Sequence, residues 1–149
     1  MQIKKNFFAL MAAASFIVAG QSVAAESPAT IPGATMVTAE QAKQAIDKGA
    51  PVFDLRTPTE FAEGSVKGSV SIPYKEKSTK VLDFDAAQDS FDLSKLPADR
   101  AAPVVFYCAG VECWKSFKGA TVAVKAGFKK VMVMRGGWPE WKGKGYPIQ

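Results

Sequence analysis

Cys108 and Cys113 are the only thiols in the 149-residue chain, which contains no histidine. They stand in Val104–Ser116, VVFYCAGVECWKS, directly after an apolar run. A cysteine is a nucleophile only as its thiolate, and an imidazole that would generate one is missing. That absence removes several chemistries at once. A Cys–His hydrolase has no base, c-type haem attachment needs Cys-x-x-Cys-His, and a structural zinc site needs four ligands. The Cys-x-x-x-x-Cys spacing also differs from the Cys-x-x-Cys of thioredoxin-like redox sites. Sulfur transfer remains open. A thiolate attacking a sulfane sulfur needs no general base, because the group that departs is already a stable anion. No metal and no cofactor is expected.

Such a thiolate needs positive potential, and the surrounding elements offer it. Pro103–Tyr107 reads as a central buried strand, and Trp114–Ala126 as a helix with Phe117, Thr121 and Val124 on one stripe, closed by Gly127. Cys108 therefore falls between a strand end and a helix start. Unpaired amides and the positive end of the helix dipole gather there and favour a thiolate. The amides of Ala109, Gly110, Val111, Glu112 and Trp114, with the charge of Lys115, form the expected cradle for a persulfide on Cys108. Glu112 works against it unless its carboxylate points outward. Cys113 has three open readings: a disulfide partner of Cys108, a resolving thiol, or a space-filling side chain. A disulfide needs Cα atoms about 4.4–6.8 Å apart, within reach of a tight loop.

The rest of the chain supplies the frame. Thr38-Ala39-Glu40-Gln41 has the form of a capping box and opens a helix to about Lys48; Thr57-Pro58-Thr59-Glu60 opens a shorter one stopped by Gly64. Pro51–Leu55, Ser69–Ile72 and Val131–Met134 read as strands, and Gly136–Trp141 turns into a last short helix. Tyr74–Ala102 reads as an irregular excursion with one or two short helices. Alternating strands and helices indicate an α/β domain on a largely parallel sheet, with ligands beyond the carboxyl ends of the strands.

At the start, Lys4 and Lys5 precede an uncharged stretch, Phe7–Ala19, and small residues up to Ala25. This is the pattern of a cleaved secretory signal peptide, too short for a membrane anchor. Residues 1–25 are expected to be that signal, 26–35 a linker and 36–149 the domain, exported to a bacterial periplasm without stable membrane anchoring. Loss of Lys4 and Lys5 lowers the formal charge from +5 to +3. A mildly basic domain suits small anions and gives no argument for nucleic acid.

Four blocks, in order, resemble the rhodanese-like sulfurtransferases. They are Val52–Arg56 with Glu60-Phe61 and Gly64–Pro73; the strand Val104–Tyr107 leading to Cys108; Ala126–Val131; and Gly136-Gly137-Trp138 with Trp141 and Gly145-Tyr146-Pro147. The resemblance implies a three-layer α/β domain with a central, mostly parallel sheet of about five strands. It also implies a persulfide on Cys108, loaded by a small anionic sulfur donor such as thiosulfate and passed to a thiol or other thiophilic acceptor. Asp54 and Arg56 are expected to pair near the pocket floor. Three positions depart from the family pattern: the loop glycine, Gly110, stands one place early, Cys113 stands in place of an arginine, and Ser65 in place of a frequent histidine. The Cys-Trp-Lys-Ser ending resembles a subgroup of exported members with a second loop cysteine. Two other functions fit the same residues: a thiol–disulfide oxidoreductase cycling Cys108 and Cys113, and a non-catalytic binding module.

Overall fold

The computed structural model describes residues 25–149; the expected leader, up to residue 24, lies outside them. The elements are β1 (Ala34–Val37), α1 (Ala39–Asp47), β2 (Val52–Asp54), α2 (Pro58–Glu63), β3 (Val70–Ser71), β4 (Pro103–Tyr107), α3 (Lys115–Lys125), β5 (Lys130–Met134) and α4 (Gly137–Gly143). The five strands form one sheet in the order β1-β5-β4-β2-β3, with every pairing parallel. β4 is the middle strand, and Val104, Val105, Phe106 and Tyr107 are fully buried. Its alternate residues feed two cores. Val104 and Phe106 pack with Leu55, Phe117, Ala120 and Ala123 under α3, whereas Val105 and Tyr107 pack with Ala39, Ala42 and Trp141 under α1 and α4. Helices therefore cover both faces, as a parallel sheet requires, and the domain has the three layers that the sequence implies.

Both capping boxes form. Thr38 and Gln41 exchange hydrogen bonds at the start of α1, as Thr57 and Glu60 do at the start of α2. The linker reading of residues 26–35 needs correction. Ser27 is buried, Ile31 lies in the core, and β1 begins at Ala34, aligned with Val131 of β5. A four-residue edge strand draws its order from its neighbour's backbone, so a stretch rich in proline and glycine hides it.

The stripe expected on α3 is also displaced. Phe117, Ala120 and Ala123 face the sheet, while Thr121 and Val124 are only half-buried. On the same helix Lys118 is fully buried. Its Nζ donates to the Ser78 carbonyl at 3.0 Å and to Ser78 Oγ at 2.8 Å, and pairs with Glu76 at 2.8 Å. Nearby, the Asp89 carboxylate accepts from Tyr74 Oη, Ser78 Oγ and the amides of Lys77 and Ser78 at 2.6–2.7 Å. Burial disfavours the Asp89 charge, but these donors outweigh it and hold its pKa well below the carboxylate range. This network ties the irregular excursion, with 3-10 turns at Ala86–Gln88 and Leu93–Lys95, to α3.

Candidate functional site

β4 delivers Cys108 to the carboxyl edge of the sheet, and a turn closed by the Cys113 amide on the Gly110 carbonyl at 3.0 Å leads into α3. Cys108 and Cys113 are joined as a disulfide, with Cα atoms 6.3 Å apart. Cys113 is paired with Cys108, as the disulfide-partner and resolving-thiol readings both require. The Cys108 sulfur lies 3.0 Å from Ser116 Oγ, in the first turn of α3. Trp114 occupies the cap position of that helix without a side-chain cap bond. Among the described residues, the amides of Ala109, Gly110, Val111, Glu112 and Trp114 meet no acceptor. These are the donors a sulfur anion would need.

The two sulfurs differ in exposure. Cys108 is 1% exposed, whereas Cys113 is half-buried. An open cleft of about 580 Å³ is lined by Ala109–Cys113, by Lys80 from the excursion, and by Gly136 and Pro139 from the β5–α4 junction. Cys108 is not part of that lining. In the bonded state it sits behind Cys113. Trp114 and Lys115 also lie outside the lining: Trp114 is buried against Phe117, with ring centroids 5.4 Å apart.

Asp54 and Arg56 form a buried pair away from the cleft, with Arg56 Nη2 2.6 Å from Asp54 Oδ2 and 2.7 Å from the Gly64 carbonyl. Tyr107 Oη donates to Asp54 Oδ2 at 2.6 Å and accepts from the Val66 amide at 3.0 Å. Burial and the Asp54 charge push the Tyr107 phenol above its ordinary pKa, so it remains the donor. The Arg56 guanidinium lies 4.9 Å from the Trp138 ring centroid. The pair fixes the frame around the loop and does not reach the cleft.

Several contacts were not foreseen from the sequence. Gly137 has φ +62°, and a Cβ there would collide with the Cys108 carbonyl and stand 2.7 Å from the Gly110 nitrogen. The neighbouring Trp138 amide donates to that same Cys108 carbonyl at 2.9 Å. On the other side runs a strap, Ala25–Ser27. The Ser27 amide and hydroxyl both donate to the Val111 carbonyl, at 2.8 and 2.9 Å, and Trp114 Nε1 donates to the Ala25 carbonyl at 3.2 Å. Arg135 Nη2 holds the strap from below, 2.6 Å from the Ser27 carbonyl and 3.0 Å from Glu26 Oε2. The glycine pair and the serine after Cys-Trp-Lys were visible as motif letters; their roles depend on long-range contacts that no local pattern carries.

A parallel α/β domain with a loop cysteine at the carboxyl end of its middle strand defines the class, and comparison with known proteins defines the family. Residues 38–144 match the rhodanese-like domain, and the chain belongs to that family. The chain is 33% identical over 106 residues to "Thiosulfate sulfurtransferase GlpE" of Pseudomonas aeruginosa, covering 71% of this chain and 82% of that protein. It is 27% identical over 97 residues to "Sulfurtransferase" of Allochromatium vinosum, covering 65% and 76%. Among solved structures, a protein of Bacillus halodurans aligns with TM-score 0.57 at 20% identity, over 77% of this chain and 76% of that one. A rhodanese-related protein of Thermoplasma volcanium aligns with TM-score 0.52 at 24% identity, over 77% and 97%. The two structures show the fold, and the family match and the named relatives support sulfur transfer at the level of the family. Among the described residues, no helix is long and apolar enough to cross a membrane.

Proposed function

We propose that the reduced protein is a sulfurtransferase with Cys108 as its persulfide carrier. The Cys108 thiolate attacks the outer sulfur of a donor such as thiosulfate, the S–S bond of the donor breaks, and sulfite leaves with the electron pair. The persulfide anion then gives its terminal sulfur to a thiophilic acceptor, and Cys108 is again a thiolate. One observation carries this reading: the Cys108 sulfur lies at the first turn of α3, 3.0 Å from Ser116 Oγ, beside a loop whose amides lack acceptors. The named relatives support the donor class. We also propose export to an oxidising compartment. The leader pattern of the first 25 residues and the disulfide are its support.

The test is mass spectrometry of reduced protein after exposure to thiosulfate. Wild type and Cys113→Ser should each gain the mass of one sulfur atom on Cys108. A Cys113→Ser protein that stays folded and takes up no sulfur overturns the proposal. A second reading, a thiol–disulfide oxidoreductase, is favoured by the disulfide itself. Turnover of a dithiol substrate without sulfur uptake would select it.

A further inference from the structure

We infer that the disulfide opens in one direction only: an external thiolate attacks Cys113, and Cys108 is the sulfur released. The inference rests on the reading of Cys108 as the reactive sulfur and adds an activating step before it. Exchange requires the incoming sulfur to approach a disulfide sulfur from the side opposite its partner, so access decides which of the two is attacked. Here access is unequal. Cys113 lines the open cleft, while Cys108 is 1% exposed and absent from the lining. The departing group is unequal in the same sense. Exchange is faster when the leaving thiolate is better stabilised, and the Cys108 sulfur has the Ser116 hydroxyl at 3.0 Å in the first turn of α3.

The step balances. The thiolate forms a new S–S bond to Cys113, the Cys108–Cys113 bond breaks, and Cys108 leaves with the electron pair as a thiolate. A second thiolate then takes the first from Cys113, releasing Cys113 as a thiolate. The two thiols end as one disulfide and the protein gains the two electrons. Cys113 thus acts as the receiving sulfur of a reductive switch, and Cys108 becomes competent for sulfur uptake as a consequence of the first attack.

The order of the sequence makes the step easy to read. Glu112 lies between the two cysteines, so cleavage after glutamate places them on separate peptides. Oxidised wild-type protein is exposed briefly to glutathione, quenched with excess N-ethylmaleimide and digested. The expected product carries glutathione on Cys113 and ethylmaleimide on Cys108, in at least tenfold excess over the reverse isomer. An equal mixture, or glutathione mainly on Cys108, overturns the inference. So does a native protein that forms no mixed disulfide at either cysteine when the urea-unfolded protein does. The sulfur-uptake test on Cys113→Ser is independent of this outcome. Glutathione on Cys113 with no sulfur uptake by that variant would sink the transferase and leave the directional opening standing.

Discussion

Replacing Ser116 with alanine removes a side-chain hydroxyl 3.0 Å from the Cys108 sulfur. In a Cys113→Ala background Cys108 is free, no new hydroxyl stands beside it, and Ser116 Oγ is positioned to donate to its thiolate. A hydrogen bond to a charged group contributes about 1.5–3 kcal/mol, and about 1.4 kcal/mol corresponds to one pH unit in a titration. The first-turn amides of α3 remain in the variant, so the lower end of that range applies. The pH midpoint for alkylation of Cys108 by iodoacetamide should therefore rise by about one unit from Cys113→Ala to the Cys113→Ala/Ser116→Ala double variant. Ser116→Thr, which keeps the hydroxyl, should restore it. A purely structural role for Ser116 would change unfolding without moving the midpoint. The reasoning fails if the double variant remains folded and its midpoint lies within about 0.3 units of the parent.

Lys118→Met leaves Glu76 and Asp89 facing one another without their buried cation. Breaking such a pair from one side costs about 3 kcal/mol, to be read from urea unfolding, and a loss below about 1 kcal/mol would contradict the assignment. Gly137→Ala should lower stability by at least about 1–2 kcal/mol, because alanine resists φ +62° and its Cβ meets the Cys108 carbonyl. Thiol release from its disulfide should change with it, and an unaltered exchange rate would argue against contact between the two loops. The lowered pKa of Asp89 gives an acid limb. Its ordinary value is 3.8, so its contribution is fully present above about pH 5 and is lost as pH falls through 3.8 and below. Unfolding measured from pH 6 to pH 2 should show a shallower decline for Asp89→Asn than for wild type, and parallel curves would refute this origin.

The parts of the molecule that were legible in the sequence are those whose cause is local. Thr38 with Gln41 and Thr57 with Glu60 bond within four residues, so letters alone place both helix starts. Pro103–Tyr107 is apolar throughout because both of its faces are covered, and its bounds follow from that run. The features that escaped are settled by distant partners. β1 is ordered by β5, nearly one hundred residues away in the chain. Lys118 looks like a solvated helix lysine until the excursion folds Ser78, Glu76 and Asp89 over it. The site divides in the same way. The position of Cys108 between strand and helix follows from its neighbours, but which sulfur meets the cleft depends on how residues 109–113 cross the sheet edge. The exposure of Cys113 and the seclusion of Cys108 reverse the simplest expectation for a nucleophile.

The Ala25–Ser27 strap matters for how activity should be measured. The family match begins at residue 38, yet the amide and hydroxyl of Ser27 grip the reactive loop at the Val111 carbonyl from outside that span. A protein trimmed to the matched residues would lose strand β1 and the core side chain of Ile31, and would free the Val111 end of the turn. Rates recorded on such a fragment would describe a looser loop than the one the whole domain holds. An affinity tag should accordingly sit at the other terminus.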